Sequence, residues 1–222
     1  MSEYHNTKAE DRVPLGQKLA VGAGGFPIQN GGLIVQYMAQ PIFQIFLGLN
    51  PALFGLAMTI PRIWDAFTDP VMGRISDRTQ SRYGRRRPYV FFGALAVALT
   101  FLTIWMVPQS MGDTGTFLWL TIVSVLFFTA FTVFSVPFNA LVYEQTPDYH
   151  ERTRLMFYLA LFYNIGNLCV NWYVPATNWS GFENPLVGAR LIALGLALVV
   201  FIGMGILPAI FGKERFYNVC LL

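Results

Sequence analysis

The chain has 222 residues, of which 55% are hydrophobic and 12% are charged. This composition excludes an ordinary soluble domain, and it excludes a disordered chain, which would be poor in hydrophobic residues and rich in charge. We therefore predict an integral membrane protein. The net charge of +3 is explained by the placement of basic loops beside a membrane, and it gives no reason to expect nucleic-acid binding.

Six apolar stretches are each long enough to cross the hydrocarbon core of a bilayer, which needs about 20 residues. We predict an all-α fold in which residues 1–15 are a cytoplasmic tail and residues 212–222 begin a cytoplasmic loop. The six predicted transmembrane helices cover approximately residues 16–47, 51–76, 88–108, 116–145, 154–177 and 186–211.

The basic residues lie on one side of this predicted topology. Of the 15 Lys and Arg residues, Arg62 is within a predicted span and Arg190 is close to the start of the sixth, while the other thirteen lie on one side, in or directly beside the two terminal segments and the loops at 74–87 and 146–153. Because loops rich in Lys and Arg stay in the cytoplasm, we predict a multi-pass protein of the cell (inner) membrane with both termini cytoplasmic.

The first predicted span carries a stripe of polar side chains at helical spacing, namely Gln29, Gln36, Tyr37 and Gln40. Helices that surround an aqueous pathway carry such stripes, whereas peripheral helices are apolar on every face. We therefore predict that this stripe lines a substrate cavity. The alternative is that the amides form hydrogen bonds between helices, which contribute up to about 2 kcal/mol each.

The second predicted span carries three charged residues on one helical face, because Arg62, Asp65 and Asp69 are spaced i, i+3 and i+7. Each charge would cost about 2.5–3.5 kcal/mol at the centre of a bilayer. Such residues mark ion or substrate pathways, so we predict a functional site with Arg62 as an ion-pair partner. The alternative is a structural ion-pair network between helices.

The fourth and fifth predicted spans also carry polar stripes. Thr132, Ser135 and Asn139 are spaced i, i+3 and i+7 on the fourth span, and Asn164 and Asn167 lie three residues apart on the fifth. We predict that Ser135, Asn139, Asn164 and Asn167 line the same cavity as the stripe on the first span. Interhelical hydrogen bonding is again the alternative.

The segment RIWDAFTDPVMGRISDRTQSRYGRRRP, residues 62–88, resembles the signature of the glycoside-pentoside-hexuronide:cation symporters, the melibiose-permease-like branch of the major facilitator superfamily. Within it, a second group of residues resembles the superfamily's cytoplasmic loop motif between helices two and three. These residues are Gly73, Asp77, Arg78, Gly84, Arg85 and Arg86.

The resemblance implies that Asp65 and Asp69 are the paired carboxylates that bind the coupling cation. It implies that Thr68 is a nearby polar ligand and that the hydroxyl of Thr132 lies beside the site. Hard cations such as Na⁺ prefer oxygen ligands, and a carboxylate pair that shares one proton would serve H⁺ coupling equally well. We expect Na⁺ or H⁺ as coupling ion and no cofactor.

The sequence differs from the sugar-binding members of the family at the positions that contact sugar. Gln29, Ser135, Asn139 and Ala160 stand where those members carry charged or aromatic residues. The small-molecule substrate is therefore predicted only as a sugar or glycoside. A non-sugar cargo such as a lysolipid remains the alternative, because some relatives in the family handle lysolipids.

The superfamily fold has twelve helices in two halves, each built of inverted three-helix repeats, with substrate bound between the halves. We interpret this chain as the amino-terminal half and expect a C-terminal six-helix half as its partner. Because alternating access needs both halves, we expect that the isolated chain does not transport.

Two other classes of function compete with a symporter. A membrane-embedded enzyme could use an Asp pair to bind a metal or to transfer protons, but the sequence has no HExxH motif and no Gly-rich phosphate loop. We therefore predict that the protein is not an enzyme. In a non-transporting membrane protein, the Asp and Arg residues would form a structural ion-pair network.

Overall fold

A computed structural model describes residue 8 and residues 11–108, 110–179, 181–182 and 184–212. Most of the predicted tail, and residues 213–222 of the loop predicted at 212–222, lie outside the described residues. All regular elements of the described part are helical, which confirms the all-α prediction there. They are α1 (Leu15–Ala23), α2 (Gly25–Ala39), α3 (Pro51–Arg78), α4 (Arg87–Ile104), α5 (Asp113–Tyr143), α6 (Tyr149–Thr177), α7 (Pro185–Leu196) and α8 (Gly205–Phe211), with π-helical segments at Gln40–Phe46 and Ala197–Met204.

Local side-chain caps set where two of these helices begin. The Asn50 side chain accepts a hydrogen bond from the backbone N–H of Ala52 at 2.9 Å, and Pro51 takes the first position of α3. The Asp148 carboxylate accepts from the N–H of Glu151 at 2.8 Å and caps α6. Helix α6 therefore begins five residues before the predicted span at 154, because its first turn is polar.

The first predicted span is not one regular helix. It consists of α1, α2 and the π-helical segment Gln40–Phe46, in which the N–H of Leu47 reaches back five residues to the carbonyl of Ile42 at 2.9 Å. Pro41 lies inside this segment and has no N–H to donate to a regular helical ladder. The last predicted span also contains a π-helical segment, Ala197–Met204, which lies between α7 and α8.

Within the described residues, three helical stretches are both long enough and apolar enough to cross a membrane: Arg87–Ile104, Asp113–Tyr143 and Pro185–Phe211. Helices α3 and α6 have 28 and 29 residues, but polar and charged side chains interrupt their apolar faces. The six-span topology therefore stays a prediction. Helix α4 also ends at Ile104, earlier than the predicted span 88–108, which included Pro108.

The bundle is organised around α5. Helix α5 packs against α3 on one side and against α4 on the other, while α2 packs against α6. The apolar core includes a cluster of aromatic rings in which Phe101 of α4 lies 5.9 Å from Phe127 of α5 and 5.2 Å from Phe201 of the second π-helical segment. This packing fixes the position of α3 through its contact with α5.

The two ends of the bundle differ in charge. At one end, the segments near residues 11–18, 77–87, 144–154 and 209–212 are joined by hydrogen bonds and ion pairs, including those from Arg87 to the carbonyls of Ala209 and Ile210 at 2.6 and 2.7 Å. At the other end, Arg190 donates to the carbonyls of Trp105 and Val107 at 3.0 and 3.1 Å. The loops predicted to share one side of the membrane therefore lie at one end of the structure.

Candidate functional site

Two carboxylates of α3 meet one hydroxyl of α5. The Thr132 hydroxyl lies 3.0 Å from Oδ1 of Asp65 and 2.9 Å from Oδ1 of Asp69. Asp65 and Asp69 are four residues apart, so they lie one above the other on the same face of α3. We refer to these two carboxylates as the Asp pair.

The geometry of the Asp pair leaves most of its oxygen lone pairs available. The two Oδ1 atoms are at most about 5.9 Å apart, since both lie within hydrogen-bond distance of the same Thr132 oxygen. A hydroxyl has only one proton, so Thr132 donates to one carboxylate at a time. Thr132 is 2% exposed, whereas Asp69 is exposed and Asp65 is partly exposed. The site is therefore anchored on the buried side and open on the other.

This arrangement suits a monovalent cation or a proton. Carboxylate and hydroxyl oxygens are the ligands that hard cations prefer, and two carboxylates this close favour the uptake of one positive charge between them. Thr68 does not join the pair in this structure, because its hydroxyl donates to the backbone carbonyl of Asp65 at 3.3 Å. Its role as a cation ligand stays a prediction.

Arg62 lies on the same helix but has a different neighbour. Its guanidinium carbon is 4.8 Å from the centre of the Phe128 ring of α5. In the part of the chain that the structure describes, no carboxylate oxygen lies within 4.0 Å of the guanidinium. The role of Arg62 in an ion pair therefore stays a prediction, while its contact with an aromatic ring is observed.

The residues predicted to line a substrate cavity lie on the surface of the bundle on four helical segments. Gln36, Tyr37, Gln40, Asn139, Asn164 and Asn167 are exposed, and Gln29 and Ser135 are partly buried. Asn164 donates to the carbonyl of Ala160 at 2.7 Å, which is a contact within α6. Polar side chains exposed on apolar helices need water or a further protein surface to face.

Interhelical hydrogen bonding does explain one amide of the first span. Asn30 is fully buried, donates to the carbonyl of Phe26 at 2.9 Å and accepts from the Tyr173 hydroxyl of α6 at 3.2 Å. Asn30 therefore joins α2 to α6. The adjacent residue Gln29 was the one predicted to line the cavity, and helical spacing alone did not separate these two roles.

Three residues of the predicted loop motif form an ion-pair network that includes an acidic residue of α5. Arg86 contacts Asp77 at 2.5 Å and Glu144 at 2.8 Å, and Arg85 contacts Glu144 at 2.5 Å. We call Asp77, Arg85, Arg86 and Glu144 the loop network. It joins the end of α3, the loop before α4 and the end of α5.

The two glycines of the motif differ in what the structure requires of them. Gly84 has a φ of +106°, a conformation that residues with a Cβ atom rarely adopt. At Gly73, a Cβ atom would make only an ordinary contact of 3.9 Å with Val136. Arg78 is exposed. The structure therefore explains Gly84 through the backbone, whereas nothing in it explains a glycine at position 73.

Sequence reasoning missed two acidic residues that hold the basic end together. One is Glu144 of the loop network. The other is Glu151, which is 1% exposed and accepts from the N–H of Val13 at 3.0 Å, while the ammonium of Lys18 lies 2.6 Å away. Burial opposes ionisation of Glu151, but the contacts with Lys18, Val13 and Arg154 outweigh it and lower the pKa of this carboxyl. The sequence did contain one signal for Glu151, because an acidic residue three positions after a capping residue, here Asp148, is typical of the first turn of a helix.

Comparisons with known proteins identify the family of this chain. A model of the family described as MFS/sugar transport protein matches residues 20–217. An uncharacterized symporter of Synechocystis sp. is 36% identical over 144 residues, which cover 62% of this chain and 26% of the relative.

Two further relatives are named for their cargoes. A putative glycoside/cation symporter of Escherichia coli is 27% identical over 191 residues, covering 85% of this chain and 40% of the relative. A sodium-dependent lysophosphatidylcholine symporter of Gallus gallus is 30% identical over 146 residues, covering 65% and 27%. The chain thus matches less than half the length of these relatives.

Proposed function

Because the chain belongs to the MFS/sugar transport protein family, we propose that it contributes the cation-binding bundle of a symporter that carries a sugar or glycoside together with Na⁺ or H⁺. The relatives are symporters, which supports coupled transport and fits a protein that is not an enzyme. The single observation that supports the cation site is the convergence of Asp65 and Asp69 on the Thr132 hydroxyl.

In this proposal the Asp pair binds the coupling ion and Thr132 holds the two carboxylates in place. The buried hydroxyl comes from α5, so the site depends on the packing of α3 against α5. A small movement of α3 relative to α5 would separate Thr132 from one or both carboxylates. Ion occupancy and helix position are therefore linked, which is what a coupled transporter requires.

A second six-helix bundle completes the transporter in this proposal. The exposed polar residues on α2, α5 and α6 would face it across a substrate cavity, as in transporters that bind substrate between two halves. The loop network would lie in the cytoplasm and link helix ends that move relative to one another. We expect the protein in the cell (inner) membrane with both termini cytoplasmic, since the basic loops lie at one end.

A lysolipid-like cargo is the second candidate, and one observation favours it. A cavity of about 380 Å³ opens beside Thr132 between α3 and α5, and most of its lining is apolar. The lining includes Trp64, Phe67 and Val71. One relative is a sodium-dependent lysophosphatidylcholine symporter. An acyl chain would fit such a surface better than a sugar would.

The cation site can be tested on the chain itself. We would measure the thermal unfolding midpoint of the purified chain in detergent while choline is replaced by Na⁺ or Li⁺ at constant ionic strength and pH. A ligand that binds the folded state raises this midpoint. For Na⁺ coupling, we expect Na⁺ to raise the unfolding midpoint of the wild-type chain but not that of the Asp69→Asn variant. For H⁺ coupling, we expect the difference between the two midpoints to change with pH.

Two variants on α5 separate the site from general packing. Thr132→Val removes the shared hydroxyl and should abolish the ion effect. Thr121→Val is the matched control, because the Thr121 hydroxyl donates at 2.8 Å to the carbonyl of Phe117 in its own helix. If the unfolding midpoints of the wild-type chain and of Asp69→Asn respond in the same way to ions and to pH, the Asp pair is structural and the proposal of a coupled symporter is wrong.

A further inference from the structure

A further apolar cavity lies at the basic end of the bundle, on helices that do not carry the Asp pair. It has a volume of about 410 Å³ and lies between the loop before α4, the first two turns of α4 and the end of α8. Most of its lining is apolar, contributed by Pro88, Phe91, Phe92, Ala209 and Ile210. Phe92 and Ile210 are 67% and 54% exposed, so the cavity is open at the surface of the bundle.

The surface around this cavity suits contact with the acyl chains of a membrane. Helices α4 and α8 belong to two of the three described stretches that are long and apolar enough to cross a bilayer. The exposed residues of α4 are Phe91, Phe92 and Leu99, all of which are apolar. The exposed polar residues predicted to face a substrate cavity lie on other helical segments. An acyl chain could therefore enter the cavity from the side of α4 that faces lipid.

Positive charge is placed where this apolar cavity meets the loop before α4. Arg87 is one of the lining residues, and its Nε and Nη2 atoms donate to two carbonyls of α8 at 2.6 and 2.7 Å. Tyr83 also lines the cavity, and the guanidinium carbon of Arg82 is 4.7 Å from the centre of its ring. The cavity is therefore apolar along its length and basic at one end.

Arg82 differs from the arginines of the loop network. Arg85 and Arg86 contact the carboxylate of Glu144. In the part of the chain that the structure describes, no carboxylate oxygen lies within 4.0 Å of Arg82, which is exposed. Exposed tyrosines and arginines beside apolar helices are typical of the level of the lipid headgroups. Arg82 can therefore attract an anionic group outside the protein.

We propose that this cavity binds an anionic phospholipid of the cytoplasmic leaflet. One acyl chain occupies the apolar cavity, and the phosphate lies beside Arg82 and Arg87. Basic pockets between transmembrane helices on the cytoplasmic side bind anionic headgroups, and this leaflet is rich in anionic lipids. The basic loops predict that this end of the bundle is cytoplasmic, so the charge of the pocket matches the charge of the leaflet that it meets.

This lipid is a bound partner of the bundle and not a cargo. Its site lies on α4, α8 and the loop before α4, whereas the cavity proposed for a lysolipid-like cargo lies between α3 and α5. The inference therefore goes beyond the proposed function and does not depend on the Asp pair. Because the lipid contacts the loop, α4 and α8 together, it adds to the connection that Arg87 makes between α4 and α8.

The test is a lipid titration of the purified chain in a neutral detergent, followed by native mass spectrometry, which counts bound lipids. Dioleoyl phosphatidylglycerol and dioleoyl phosphatidylcholine have the same chains but differ in net charge. We expect the first phosphatidylglycerol to bind about five-fold more tightly, as one arginine near an anionic headgroup would cause. Glycerol 3-phosphate, which has the phosphate but no acyl chain, should not displace it at equal concentration.

A pair of arginine variants tests the headgroup end of the site. Arg82→Gln should weaken the binding of phosphatidylglycerol by about five-fold and leave phosphatidylcholine unchanged. Arg78→Gln is the matched control, because Arg78 is also an exposed arginine of the basic end but does not line the cavity. Both variants remove one positive charge, so a general attraction between the basic end and anionic lipid would affect them equally. Circular dichroism of each variant checks that its helices are folded.

A second pair of variants tests the acyl-chain end. Phe92→Ala removes an exposed wall of the cavity and should weaken both lipids by about three-fold, because acyl-chain binding scales with apolar contact. Leu99→Ala is the matched control, since Phe92 and Leu99 are both 67% exposed on α4 and Leu99 does not line the cavity. This control should bind both lipids as the wild-type chain does.

Four results would overturn the lipid site. They are equal affinities for the two lipids, the same loss in Arg82→Gln and Arg78→Gln, unchanged binding in Phe92→Ala, and displacement of phosphatidylglycerol by glycerol 3-phosphate at equal concentration. The last result would identify a site for a free phosphate ester. None of these results bears on the cation site, whose test is the response of the Asp69→Asn variant to ions and pH.

Discussion

The acidic residues of this bundle occur in two contrasting regions. At the basic end, Glu144 and Glu151 each contact basic side chains at 2.5–3.2 Å. In the middle of α3, Asp65 and Asp69 share one hydroxyl and have no basic group within 4.0 Å among the described residues. Paired charges contribute to holding helices together, whereas the unpaired carboxylates are available to a ligand.

The largest effect on stability is expected at Glu144. Glu144→Gln leaves Arg85 and Arg86 without their shared carboxylate, and the Arg86 side chain is only 9% exposed. Breaking a buried ion pair by removing one partner is costly. We expect a loss of about 3 kcal/mol in the free energy of unfolding, measured by denaturation with sodium dodecyl sulfate in mixed micelles. An unchanged unfolding curve would show that the loop network does not stabilise the isolated chain.

The second largest effect on stability is expected at Glu151, and it depends on pH. Its pKa is lower in the folded chain than the ordinary value of 4.5, because the contacts of its carboxylate outweigh the effect of burial. The stabilisation from this group is therefore complete above that value and is lost as the pH falls through the lower folded pKa. We expect the stability difference between the wild-type chain and Glu151→Gln to shrink in this acidic range. A difference that is constant from pH 7 to pH 3 would contradict this account.

A smaller effect is expected at Asp77, which belongs to the same network as Glu144 but is 57% exposed. Water screens such a pair, so exposed ion pairs contribute only about 0.2–1 kcal/mol. Asp77→Asn should therefore cost less than 1 kcal/mol in the same denaturation experiment. Arg86 would retain Glu144 as a partner. A loss as large as that of Glu144→Gln would show that the network acts as one cooperative unit.

The smallest effect on stability is expected where the proposed effect on function is greatest. Asp69 is exposed and has no basic partner in the described part of the chain, so Asp69→Asn should change the free energy of unfolding by no more than about 0.5 kcal/mol. The measurement is denaturation in Na⁺-free buffer. Destabilisation by several kcal/mol would remove the contrast between the two regions and would favour a structural role for the Asp pair.

Much of the helical region was predictable because it depends on local patterns. Apolar stretches located the helices, and the spacing of Asp65 and Asp69 placed both on one face of α3. The position of Thr132 beside them came from the resemblance to a family, since nothing local links residues 65 and 132. The structure brings these residues together through the packing of α3 against α5.

The remaining features depend on contacts between distant parts of the chain. Arg85 and Glu144 are 59 residues apart, and Val13 and Glu151 are 138 residues apart, so no periodicity could reveal either contact. The π-helical segments were also not predicted, because a change from four-residue to five-residue hydrogen bonds leaves no simple pattern of apolar residues. The role of Asn30 was hidden for a related reason, since its partner Tyr173 lies on another helix.

The contact of Arg190 with the segment that follows α4 has a consequence for how the protein is made. This arginine lies at the end of the bundle opposite the basic loops, and its acceptors are the carbonyls of Trp105 and Val107, 85 and 83 residues earlier in the chain. Because chains are synthesised from the amino terminus, α4 emerges from the ribosome well before α7. The acceptors are synthesised before the arginine, so the segment that follows α4 can act as a template for the membrane insertion of an arginine-containing helix.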